Sequence, residues 1–226
     1  MRREIFYRKR RETDMSKRIM CFGDSNTWGA TPAENLRYPE DVRWTGVLQR
    51  ELGTAYRVIE EGQNGRTSLL DDPMEGRLGG LRYFAACCES QVPLDLIILM
   101  LGTNDLKARF NLGARVIANG LKRYLDVLKV VPMAGETPKV LLVSPILISP
   151  DYRNHTLFSD MFGEDADVRS EKLAEAYREM AEETGIEWLN AAQYAKASPK
   201  DGVHMEAEEH GKLGMAMAEK VRQILG

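Results

Sequence analysis

The chain lacks any run approaching the roughly 20 consecutive apolar residues of a membrane span, which argues against a membrane partner. It has only three cysteines, Cys21, Cys87 and Cys88, an odd number with two of them adjacent. Adjacent cysteines rarely pair with each other, so no disulfide framework is implied. Reduced, buried thiols in a cytoplasmic protein are the simple reading. There are only three histidines and no H-E-x-x-H pair, which removes the common zinc-hydrolase signature. No G-x-x-x-x-G-K-[ST] loop is present, nor G-x-G-x-x-G after a strand, so no phosphate cradle is legible. G-x-S-x-G is also missing, which argues against the nucleophile elbow of the α/β-hydrolases. Neither a cofactor nor a metal is expected.

What is present is ordinary for a soluble globular protein: 43% apolar and 29% charged residues. A length of 226 residues fits one large domain, and no repeat or Pro/Ser-rich linker divides it. The net charge of −3 is unevenly spread. Residues 1–14, MRREIFYRKRRETD, carry six basic and three acidic side chains, leaving the body at −6. A mildly acidic body argues against nucleic acid as a partner, because phosphate binding needs a basic face. Residues 1–14 are read as a basic leader outside the fold, and residues 15–226 as a single domain. Met15 is an alternative start, because MSKRIMCFGDS leads directly into a strand.

Short apolar runs alternate with helical patterns. Strands are expected at 18–22, 56–60, 94–101, 139–143 and 186–189. The third, LDLIILML, is apolar on both faces, as a central parallel strand should be. Helices are expected at 43–52, 79–89, 112–130, 168–184 and 207–225. This alternation implies an α/β fold: a flavodoxin-like three-layer α/β/α sandwich around a five-stranded parallel sheet. Residues 145–167 form a long connection of weak regularity, read as a functional cover or a surface excursion packed on its own aromatics.

Ligands of such sheets sit beyond the carboxyl ends of the strands, so the segments there carry the functional signal. After the first strand comes Gly23-Asp24-Ser25-Asn26-Thr27-Trp28-Gly29, with a serine hydroxyl where a strand turns toward a helix N-terminus. After the second comes Glu61-Gly62-Gln63-Asn64-Gly65-Arg66-Thr67, whose glycines let an N–H approach a ligand. After the third comes Leu101-Gly102-Thr103-Asn104-Asp105, with a side-chain amide donor. Before the last helix comes Asp201-Gly202-Val203-His204, a base with a neighbour able to orient its ring. Singly, each block also reads as a turn or helix cap. Together they supply a nucleophile, two kinds of oxyanion donor and an oriented base, the parts of acyl transfer through serine. His155 and His210 read as solvated surface residues. Asp71-Asp72-Pro73 reads as a turn or cap rather than a metal or two-carboxylate site.

The four blocks, in this order, resemble the SGNH (GDSL-type) hydrolase superfamily. The nucleophile block is GDSN rather than the commoner GDSL. The flanks RWTGVLQRELG, VIEEGQNGRTSLLDDP and PLDLIILMLGTNDLK are similar to the arylesterase/acyltransferase branch. The resemblance implies Ser25 as nucleophile, Asp201 as orienter and His204 as base. It implies an oxyanion hole from the Ser25 and Gly65 N–H groups and the Asn104 side chain. Gly65 stands where the best-known member of that branch has alanine. Asp24, Trp28, Thr103, Phe162 and Val203 are expected to line a narrow acyl pocket. The expected activity is a serine esterase for short acyl, acetyl-type esters, with acyl transfer to alcohols and self-association into a homo-oligomer. A carbohydrate O-deacetylase and a non-catalytic binding module for a small ligand are the alternatives.

Overall fold

The computed structural model describes residues 16–34, 36–133 and 135–226. The expected leader, residues 1–14, lies outside the described residues. Five strands, β1 (Lys17–Gly23), β2 (Tyr56–Gly62), β3 (Leu96–Met100), β4 (Lys139–Ser144) and β5 (Glu187–Asn190), form one sheet. Their order is β2-β1-β3-β4-β5, and every adjacent pair is parallel. The helices are α1 (Ser25–Trp28), α2 (Trp44–Leu52), α3 (Leu81–Gln91), α4 (Ala114–Val130), α5 (Thr156–Phe162), α6 (Ala166–Glu171), α7 (Leu173–Thr184) and α8 (Ala207–Leu225).

Strand alternation divides the core in two. Ile19 and Cys21 of β1, Leu96 and Ile98 of β3, and Leu141 and Val143 of β4 pack with Trp44 and Leu48 of α2 and Leu213 and Met217 of α8. The intervening Met20, Phe22, Ile97, Leu99 and Leu142 face α3, α4 and α7, through Phe84, Leu121, Tyr124 and Tyr177. This two-sided burial is why β3 is apolar at every position and β1 and β4 are apolar through their middles. Truncating one of these large side chains to alanine typically costs about 2–5 kcal/mol.

The chain leaves β1 toward β2 on one side, then returns past β1 to β3 and onward to β5. The connection therefore reverses between β1 and β3, and their carboxyl ends flank the crevice where such sheets bind ligands. Ser25 follows β1 and Asn104 follows β3, so the topology delivers both to that crevice.

Three local expectations are corrected. The helix expected over 168–184 starts earlier and is divided at Lys172 into α6 and α7. There the Ser170 hydroxyl donates to the Asp167 carbonyl and accepts the Ile148 N–H, which ties α6 to the loop after β4. The connection 145–167 is more regular than expected. Ser149 and Pro150 open a 3₁₀ turn at Pro150–Asn154, and α5 follows. Finally, α3 begins two residues late, because Gly79 and Gly80 donate their N–H groups to Asp71 Oδ1 and the Thr67 carbonyl.

Candidate active site

Asp24 accepts the Asn26 N–H at 3.0 Å and so caps α1, whose first residue is Ser25. The cap fixes the serine at the end of β1. On the other side, Asp201 begins the turn that precedes α8. Its Oδ1 accepts the Val203 and His204 N–H groups, both at 2.9 Å. Gly202 sits between them at φ +71°, and a Cβ there would lie 2.3 Å from the Tyr152 nitrogen. Only glycine fits the turn.

This turn aims the His204 ring. His204 Nδ1 lies 2.8 Å from Asp201 Oδ2, and His204 Nε2 lies 3.0 Å from Ser25 Oγ. All three residues are buried. Asp201 Oδ2 also accepts the Ala33 N–H at 2.9 Å. Burial alone would raise the Asp201 pKa. Hydrogen bonds from the His204 ring, the His204 charge and the backbone N–H groups outweigh burial and hold it below the usual carboxylate range. An ionised Asp201 is an acceptor for an Nδ1–H of His204, the arrangement in which Nε2 faces the Ser25 hydroxyl as an acceptor.

The candidate oxyanion donors lie at the same edge. Among the described residues, neither the Ser25 nor the Gly65 N–H donates to another group. Gly65 has φ +74°, and a Cβ there would lie 2.6 Å from Glu75 Oε2. That carboxylate cannot easily withdraw, because Lys107 and Arg109 both hold Glu75 and the buried Asp72. Asn104 Nδ2 donates to the Arg66 carbonyl at 3.2 Å, which uses one of its two N–H bonds and joins it to the Gly65 loop. Asp105 secures the same junction by accepting the Ser68 N–H and hydroxyl.

The expected pocket residues are placed less uniformly. Asp24 and Thr103 are both buried at this edge. Trp28 closes α1, and Arg37 covers one face of its ring at 5.1 Å. Val203 packs its side chain into the core. Phe162 is buried against Tyr152 and lies behind Phe158. Phe158 is the aromatic ring beside His204, at 5.5 Å between centroids. The two phenylalanines are one helical turn apart on α5, and Phe162, the one expected from the sequence, is the farther of the two from His204.

Two histidines differ from expectation. His210 is fully buried: its Nδ1 accepts the Trp44 N–H at 3.3 Å, and Tyr38 packs edge-on against its ring. It sits three residues before Leu213 and seven before Met217, on the apolar stripe of α8. That spacing was the available signal. His155 is half-buried and packs on Phe158. Asp71 and Asp72 do occupy a turn, closed by a bridge from Asp72 to Arg77. The burial of Asp72 with Lys107 was not legible locally. Arg66 was also missed: it lies over the Phe22 ring at 4.1 Å and donates to the Gly23 carbonyl at 2.8 Å, beneath the Ser25 turn.

Burial gives two of these groups opposite effects on stability. It lowers the His210 pKa from 6.5 to about 4. Between those values the unfolded chain binds a proton that the folded one refuses, so stability is lost as pH falls through this window. Burial raises the Asp24 pKa from 3.8 to about 6, against the Asn26 N–H and the His204 charge. There the folded chain binds the extra proton, so stability is gained as pH falls from 6 to 3.8. Each shift corresponds to ~3 kcal/mol. Substituting asparagine at position 210 keeps an acceptor for the Trp44 N–H and removes one titration. Urea unfolding at pH 7 and pH 4 should show wild type losing ~3 kcal/mol more than His210→Asn. Equal losses would refute the assignment to His210.

A parallel α/β sheet with a buried serine–histidine–aspartate chain at its switch point defines a serine-hydrolase site. The profile of the GDSL-like lipase/acylhydrolase family matches residues 21–211, and the chain belongs to that family, within the SGNH hydrolase superfamily. It is similar to the native aryl esterase of M. smegmatis, at 39% identity over 93% of this chain and 100% of that one, with a TM-score of 0.88. It is similar to Est24, a carbohydrate acetylesterase from Sinorhizobium meliloti, at 37% identity over 93% and 100%, TM-score 0.88. A second carbohydrate acetylesterase family member from that organism matches at 33% identity over 93% and 99%, TM-score 0.88. No match was found among the curated proteins compared. The chain is a carboxylic ester hydrolase. Among the described residues, no helix is long and apolar enough to cross a membrane.

Proposed function

We propose that the protein cleaves short-acyl, acetyl-type esters through an acyl-enzyme on Ser25. The observation that carries this reading is the hydrogen-bonded chain from Ser25 Oγ through His204 to Asp201. His204 Nε2 takes the hydroxyl proton as Oγ attacks the ester carbonyl carbon. The tetrahedral oxyanion is held by the Ser25 and Gly65 N–H groups and the free N–H of the Asn104 amide. Collapse breaks the bond to the alkoxy oxygen, which leaves with the proton from His204. Water, deprotonated by His204, then attacks the acyl carbon; collapse breaks the bond to Ser25 Oγ, which takes the proton from His204, and the carboxylic acid leaves.

Phe158 beside His204 favours small acyl groups. An alcohol in place of water gives acyl transfer, a reading that rests on the resemblance to the arylesterase/acyltransferase branch. The same resemblance supports self-association into a homo-oligomer. The three unpaired cysteines support a cytoplasmic site of action. Acetylated carbohydrate is the second substrate class, favoured by the likeness to carbohydrate acetylesterases.

The test is a series of p-nitrophenyl esters from acetate to octanoate, run with and without a primary alcohol, beside an acetylated sugar. Rates should be highest at acetate, and the alcohol should divert acyl groups into a new ester. A maximum at octanoate would overturn the short-acyl reading. Release of acetate from the sugar at rates matching the aryl ester would favour the second class.

A further inference from the structure

Asn26 occupies the position where the commoner block has leucine, and its side chain is only 3% exposed. A buried primary amide needs a partner for its nitrogen and one for its oxygen. Asn26 finds them 177 and 179 residues away. Its Nδ2 donates to the Val203 carbonyl at 3.1 Å, and its Oδ1 accepts the Met205 N–H at 3.2 Å. These peptide groups lie immediately before and after His204. One planar amide therefore brackets the backbone that carries the base. The amide is anchored one residue past Ser25, on the helix turn that Asp24 caps.

The other contacts around His204 leave this link distinct. Asp201 Oδ1 holds the Val203 and His204 N–H groups from within the same turn. Ser198 donates its N–H to the His204 carbonyl at 2.7 Å, from the segment leading into the turn. Both fix the turn's shape, and the Ala33 N–H to Asp201 Oδ2 ties the turn to the chain beyond α1. Asn26 ties the turn to α1 itself, and so supports the separation of Ser25 Oγ and His204 Nε2 independently of their own hydrogen bond. A leucine here fills similar space and can make neither hydrogen bond.

We propose that Asn26 is a positioning residue that holds His204 in register with Ser25. The inference rests on the serine mechanism above. Its loss should lower the rate of the chemical step and leave substrate binding nearly unchanged, because proton transfer from Ser25 depends steeply on geometry.

The experiment compares wild type, Asn26→Leu and Asn26→Asp with p-nitrophenyl acetate. Active sites are first titrated by a fluorophosphonate mapped to Ser25, so that kcat is counted per competent site. Asn26→Leu should lose at least ~10-fold in kcat per titrated site, with KM within about threefold. Asn26→Asp keeps the acceptor for the Met205 N–H and loses the donor to Val203, so its kcat should fall between the two. A purely structural role would lower the titrated fraction and leave kcat per site intact. A folded Asn26→Leu, or Asn26→Asp if the leucine variant does not fold, with kcat per site within twofold of wild type would overturn the proposal. Failure of the wild type itself to label at Ser25 would sink the serine mechanism, and this inference with it.

Discussion

Ser25→Ala is expected to lower kcat for p-nitrophenyl acetate by about 10⁶-fold, to the level of binding and oxyanion stabilisation alone. The Oγ is the atom that forms the acyl bond, and no other nucleophile lies in the hydrogen-bonded chain. Cys21, the nearest cysteine in sequence, is fully buried, with its pKa raised by burial and by the Glu60 charge, so it cannot substitute as a thiolate. The fold should survive. The cap on α1 belongs to Asp24, and the Ser25 hydroxyl bonds only to His204 among the described residues. Urea unfolding should change by no more than ~1 kcal/mol. Loss of turnover with an unfolded protein would say nothing of nucleophilicity, so both measurements are needed.

Asp201→Asn is expected to lower kcat by about 10⁴-fold. The cause is tautomeric. Asp201 Oδ2 faces two donors, His204 Nδ1 and the Ala33 N–H. Oδ1 faces two more, the N–H groups of Val203 and His204. An asparagine has one oxygen for these four donors. With that oxygen on the backbone pair, its NH₂ points at His204 Nδ1 and forces the ring proton onto Nε2. The base then donates toward Ser25 instead of accepting. Steady-state kinetics at pH 7–8 should show the loss mainly in kcat. A loss below tenfold would mean that Asp201 does not set the tautomer.

The sheet and the four polar blocks were legible because local rules write them. Two-sided apolar runs mark buried parallel strands, and the residues just beyond their carboxyl ends face the crevice. That placement singled out Ser25 and Asn104, and the block before the last helix singled out Asp201 and His204; the structure brings Ser25, His204 and Asp201 into one hydrogen-bonded chain. Asn26 was not, because its meaning depends on Val203 and Met205. The same holds for Lys107, whose burial requires Asp72 and Glu75 to arrive from another loop. No periodicity encodes such contacts. The break between α6 and α7 was hidden for a related reason: Ser170 fits a helix locally, and its bond to Ile148 is tertiary. His210 was misread although its stripe was visible, because its polarity was weighed above its spacing.

Gly65 shows how one residue joins fold to chemistry. Its positive φ favours glycine, and a Cβ there would press on the Glu75 carboxylate. Lys107 and Arg109 neutralise that carboxylate. In the proposed mechanism, an unpaired negative charge here would stand next to the developing oxyanion and raise the barrier.

The most direct measurement of the central claim is covalent. A fluorophosphonate reacts when a serine oxygen attacks phosphorus and fluoride leaves, so it reports an activated hydroxyl without needing the native ester. Intact mass and peptide mapping should show one adduct per chain, on Ser25, formed much more slowly in His204→Ala and absent in Ser25→Ala. An adduct on a different residue, or undiminished ester turnover by a chain that forms none, would contradict Ser25 as the nucleophile.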